Sequence, residues 1–157
     1  MSDEPRAWHM APEADEIAAC LRLKRACEAA GKEPGDFSSF AGGSASNYYD
    51  LENCHGELYR TIGLGELSAL CSALEIKARN LFNDGPVVGQ EISPQQLTFK
   101  AETYMRENQF SVAEFEERIG FAIGPSLKDA GKVMEWNVDF LRWLCRELEV
   151  DWHLALP

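Results

Sequence analysis

The chain has 157 residues, with 15 basic and 26 acidic side chains for a net charge of −11, and a mean hydropathy of −0.30. Its 45% hydrophobic content is enough for one ordinary domain or two small ones, and no apolar run is long enough to cross a bilayer. Residues 1–84 carry 8 basic and 14 acidic side chains and residues 85–157 carry 7 and 12, so no basic domain stands against an acidic tail. A phosphate backbone would meet a repulsive mean field, which disfavours DNA as a partner unless a local patch is positive.

The first ten residues are acidic and lack a basic stretch followed by an apolar core, so the expected location is cytoplasmic. Five cysteines (20, 27, 54, 71 and 145) are an odd number with no C-x-x-C spacing, which fits reduced, buried thiols better than redox or metal chemistry.

Residues 13–30 read as a helix, with acidic residues at the start, Lys24 and Arg25 toward the end and Gly31 as C-cap. Pro34 opens a short helix broken by Gly42-Gly43, and Ser44 is placed to N-cap another over residues 45–53. After a looser passage come helices over 66–74 and 78–82. Residues 85–90 read as a linker, rich in turn formers. Ser93-Pro94-x-Gln96 and Ser111-x-x-Glu114 are capping boxes that open the next two helices, the second ending at Gly120. A helix is expected from Pro125 and Ser126 through Lys128 and Ala130 to Val133 and Met134, which places Lys128 and Lys132 on one face. A final long helix covers 137–149, with a short turn after it, and no strand signal appears.

Residues 67–76, L-S-A-L-C-S-A-L-E-I, return at 141–150 as L-R-W-L-C-R-E-L-E-V. The leucines fall at i, i+3 and i+7 in both, one apolar helix stripe. Upstream, Cys27 to Phe37 spans the same interval as Met105 to Phe115, with Gly42 and Gly120 equally placed after each Phe. The expected fold is therefore all-α, two tandem five-helix modules at 13–84 and 91–157 joined by 85–90. The copies differ on the other helix face, where Ser68, Ala69, Ser72 and Ala73 become Arg142, Trp143, Arg146 and Glu147. Function that tracks this difference belongs to the second half.

The first half resembles the XRE/Cro-type helix-turn-helix family. The likeness lies in residues 21–31, Phe37 with Ala41-Gly42, Tyr48 with Leu51-Glu52-Asn53, and Leu67, Leu70, Ala73-Leu74-Glu75-Ile76. The second half looks like a diverged copy, through Phe115, Ile119-Gly120 and the closing helix, without the recognition-helix glutamate. The resemblance implies two lambda-repressor-like modules and DNA binding by a helix in the major groove. Carried over, Ser44, Ser46 and Asn47 would contact DNA in the first copy. Ala45 and Asp50 depart from the family pattern, and between residues 36 and 60 only Arg60 is basic against four acids. In the second copy the corresponding contacts fall to Ser126, Lys128 and Lys132.

No residue set supports catalysis. Cys54-His55 lacks the converging ligands a metal needs, and the glycine pairs lack a P-loop lysine, so no catalytic residue, metal, cofactor or small-molecule site is expected. Trp136, Trp143 and Trp152 fall within 17 residues, dense enough to suggest a protein interface or a homodimer. The expectation is a non-enzymatic, DNA-binding transcriptional regulator. The alternative is an acidic protein-binding module, antitoxin-like, immunity-like or DNA-mimicking, that keeps the fold without binding DNA.

Overall fold

The computed structural model describes residues 14–32, 57–83, 85 and 87–157. Helices build it: α1 (Ala14–Ala29), α2 (Glu57–Arg60), α3 (Leu64–Ala73), α4 (Ala78–Leu81), α5 (Pro94–Glu107), α6 (Val112–Ile119), α7 (Gly124–Lys128) and α8 (Val138–Glu147). Two 3₁₀ helices, Ala130–Glu135 and Trp152–Ala155, complete the order. Among the described residues there is no strand, only an isolated antiparallel bridge between Gly63 and Asn137. The all-α expectation agrees with this. The expected helices over 34–53 lie outside the described residues. No described helix is long and apolar enough to cross a membrane.

The capping boxes form as read. Ser93 Oγ accepts from the Gln96 N–H at 3.1 Å while the Gln96 side chain accepts from the Ser93 N–H at 2.8 Å. Ser111 and Glu114 do the same at 3.1 and 3.3 Å. Each pair satisfies two donors that the first helical turn would otherwise leave open.

The sequence repeat is also a repeat of backbone geometry. After α3, Glu75 N–H donates to Ser72 O (3.1 Å) and Ile76 N–H to Cys71 O (3.0 Å). After α8, Glu149 donates to Arg146 O (3.2 Å) and Val150 to Cys145 O (2.9 Å). Glu75 and Glu149 both take left-handed backbone, φ 57° and 56°. The ends of α1 and α5 match as well. Gly31 (φ 65°) and Gln109 (φ 58°) hold the left-handed position, and Lys32 and Phe110 donate to Cys27 O (3.0 Å) and Met105 O (2.9 Å). All four are Schellman endings, which recover carbonyls that a helix C-terminus leaves unpaired.

Burial repeats with the same register. Ala19, Cys20, Leu23 and Cys27 of α1 are buried, as are Leu97, Thr98, Ala101 and Met105 of α5. Leu64, Leu67, Leu70 and Cys71 of α3 have counterparts in Val138, Leu141, Leu144 and Cys145 of α8. Each fully buried aliphatic side chain contributes about 1.5–3 kcal/mol relative to exposure, so these stripes hold the helices in place.

The two halves pack against each other through equivalent positions. Gly63 and Asn137, bridged to one another, occupy equivalent positions, each the N-cap of its repeated helix. Leu64 N–H donates to Trp136 O at 2.8 Å and Asn137 Nδ2 to Arg60 O at 2.9 Å. The contacts are reciprocal: α2 packs on α8, and its counterpart, the 3₁₀ helix Ala130–Glu135, packs on α3. Gly63 and Gly65 run close to this 3₁₀ helix, with a Cβ on Gly65 falling 3.4 Å from Met134 O. The buried apolar residues of both copies form one core cluster.

Candidate functional site

The expected recognition helix of the second copy is not continuous. α7 has only five residues, and Asp129 (φ −142°, ψ 98°) leaves the helical region. The Asp129 carboxylate instead accepts from the Gly131 N–H at 3.1 Å and starts a 3₁₀ helix. A short polar side chain followed by a glycine offers the backbone this alternative to helix. Lys128 and Lys132 are both exposed, but on opposite sides of the break, so the shared α-helical face is corrected. Ser126 is 2% exposed, and its hydroxyl accepts from the Trp136 indole N–H at 3.0 Å inside the core. Ser44, Ser46 and Asn47 lie outside the described residues.

The three tryptophans divide. Trp136 is buried, with its ring edge on Phe121 at 5.0 Å, so it is a core residue and not an interface one. Trp152 is half-buried between the copies, 5.3 Å from the Phe82 ring and 6.3 Å from Tyr59. The Arg142 guanidinium lies 4.4 Å over the Tyr59 ring and 5.7 Å from Trp152, while bonding Asp139 at 3.0 Å. The partner of Trp152 is thus the other half of the same chain. Trp143 is half-buried at the outer side of α8, 5.5 Å from Phe140.

Two surface features of the second half remain. The first is an open groove of about 630 Å³ along α5, lined by Ile92, Phe99, Thr103, Tyr104, Leu148 and Val150, with Glu91, Lys100 and Glu107 beside them. Phe99 is 64% exposed. Thr103 Oγ1 is buried there without a hydrogen-bond partner. An aromatic side chain left this far in water, beside other apolar groups, is the kind of surface that meets a partner.

The second is a cleft of about 410 Å³ where α6 ends against α8, lined by Arg118, Ile119, Gly120, Trp143, Arg146 and Glu147. Glu147 accepts from Arg118 Nε at 2.7 Å and from the Tyr104 hydroxyl at 2.8 Å. Burial pushes the Glu147 carboxyl up, but these two hydrogen bonds and the Arg118 charge outweigh it and hold the group below the usual range. The bond to Glu147 raises the Tyr104 hydroxyl in turn.

The sequence pointed to neither Phe99 nor the Arg118–Glu147–Tyr104 network, because the pairs lie 29 and 43 residues apart. It did separate out Trp143, Arg146 and Glu147, as positions where the second copy leaves the first. Among the described residues no group of acidic, histidine and cysteine side chains is placed to hold a metal ion. Cys71 and Cys145 are buried thiols, both pushed up to about 12 by desolvation, so they stay protonated and unreactive at neutral pH. No protein-family model, no curated protein and no solved structure matches the chain.

Proposed function

We propose that the protein is a non-enzymatic, acidic binding module whose partner is another protein, engaged through the groove along α5. The observation that carries this reading is Phe99, 64% exposed on a groove that also presents Ile92, Tyr104, Leu148 and Val150. The net charge of −11 adds a preference for a basic partner and speeds its encounter. Glu107 at the groove gives that preference a local counterpart, whereas Glu91 is already paired with Arg79. The five-residue α7 and the inward Ser126 further weaken DNA recognition by the second copy.

The test places a photo-crosslinking side chain at position 100, beside Phe99, in the cell of origin. One basic protein should crosslink in stoichiometric yield, and Phe99→Glu should abolish the product. Crosslinking that is unchanged by Phe99→Glu would refute the groove as the site.

DNA binding by a helix-turn-helix regulator is the second reading, favoured by the exposed Lys128 and Lys132. It requires retention of random-sequence duplex in low-salt buffer, weakening as salt rises. No retention is expected, and clear salt-dependent binding would restore this reading over the first.

A further inference from the structure

The first copy serves as an internal control for the second. α3 and α8 bury the same stripe, so the scaffold needs those residues. It does not need an aromatic ring or charges on the outer side, since Ala69, Ser72 and Ala73 stand on α3 where Trp143, Arg146 and Glu147 stand on α8. These three residues are additions to a helix that already folds without them.

In the second copy they meet the end of α6. Gly120 has left-handed backbone (φ 87°) and no side chain, and a Cβ there would lie 3.7 Å from the Trp143 ring. The indole thus rests an edge on backbone, and no side chain at 120 fills the space beside it. Arg118 is engaged: Nε and one terminal nitrogen each bond Glu147 Oε1 at 2.7 Å, and its guanidinium stands 4.9 Å over the Phe110 ring. Glu147 is therefore already matched. Arg146 is exposed on the next turn, with no ion pair or side-chain hydrogen bond among the described residues. The result is a cleft of about 410 Å³ with one unmatched cation beside an indole, on a chain whose net charge is −11. Its size lies within the range of small-molecule sites, roughly 300–1,000 Å³.

We propose that this cleft binds a small planar anion, an aromatic ring bearing a carboxylate or a phosphate. The ring stacks on Trp143, the anion pairs with the Arg146 fork, and Arg118 offers its remaining terminal N–H groups. The site shares no lining residue with the groove along α5. It stands whether or not that groove binds a protein.

The test is a titration of the full chain by ¹⁵N NMR, reading the Trp143 indole and the Arg118 and Arg146 Nε signals. The probes are benzoate, phenyl phosphate, benzamide (ring without charge) and inorganic phosphate (charge without ring). Benzoate or phenyl phosphate should shift the Trp143 indole saturably, and the tighter of the two identifies the preferred anion. Benzamide and inorganic phosphate should bind at least about tenfold more weakly. Arg146→Gln should weaken binding roughly tenfold while leaving the rest of the spectrum unchanged, because the residue is exposed. Trp143→Ala, which places there the residue found at Ala69, should abolish saturation of the Arg118 and Arg146 Nε shifts while the amide spectrum stays dispersed. Phe99→Glu should leave these shifts intact. No saturable shift by about 20 mM of either aromatic anion, equal binding of benzamide, or indifference to Arg146→Gln would each overturn the proposal.

Discussion

Glu16 is a buried carboxylic acid. It is 2% exposed, and its Oε1 has no hydrogen-bond partner. Burial pushes its carboxyl above the usual range; a backbone hydrogen bond from Tyr59 and the nearby Arg60 charge counteract this, and Asp139 adds to it. A carboxyl whose folded pKa is raised gives full stability below its ordinary pKa and loses it as pH rises through the folded value. Glu16→Gln should therefore stabilise the protein at pH 7, and the advantage should shrink toward pH 4. Thermal melts should give a gain of roughly 2–4 °C at pH 7, the shift that about 1 kcal/mol produces in a chain of this length. A lower Tm at pH 7 would mean that the charged form is the stabilised one. At the same scale, Cys20, Cys27, Cys71 and Cys145 are all buried. Iodoacetamide at pH 8 should leave Cys71 and Cys145 unmodified in the native protein and label both after denaturation, as peptide mapping would register. Their apolar spacing made this burial legible in advance. The inward turn of Ser126 was not, because the Trp136 indole that claims its hydroxyl is set by a fold that local pattern does not encode.

The helices were the most legible elements, since caps and apolar stripes are local signals. Ser93, Ser111 and their glutamine and glutamate partners mark their helix starts directly. Residues 87–90 carry no helix. The four-residue α2 escaped notice because it is too short to show a period. The break at Asp129 was hidden by Lys128, Ala130 and Val133, which keep helical spacing through it. The Schellman endings give a sharper prediction. Glu75, Gln109 and Glu149 hold left-handed backbone that costs a side-chain-bearing residue about 1 kcal/mol. Glycine at any of the three should raise stability by about 0.5–1 kcal/mol in urea denaturation, as Gly31 already does at its own equivalent position. A loss of stability at all three would show that these side chains contribute more than the backbone strain removes.

At the scale of the molecule, the recurrence of helix endings and buried stripes was legible, but the way the two halves pack together was not. Sequence similarity says that two segments fold alike, and nothing in it says that they share a core. The structure joins them through the Leu64–Trp136 backbone hydrogen bond, Trp152, Arg142 and the Gly63–Asn137 bridge. Residues 91–157 expressed alone should therefore lack a stable fold, with far-UV circular dichroism and amide dispersion well below those of the second half within the full chain. A well-dispersed spectrum from that fragment would show that the second half holds its core without the first. Of the two surface sites, the cleft was partly legible, since comparing the copies isolates Trp143, Arg146 and Glu147. The groove was not, because Phe99 has an ordinary apolar helix position until its neighbours are known. The bridge has one more consequence. Were the two copies separate identical chains, that contact would pair a residue with itself, and every substitution would strike both sides of the joint at once. Carried on a single chain, each copy is altered independently: a tryptophan and an arginine enter one side while alanine and serine keep the other plain. A single chain thus supplies what a symmetric dimer lacks, a place for the proposed anion cleft on one side of the joint alone.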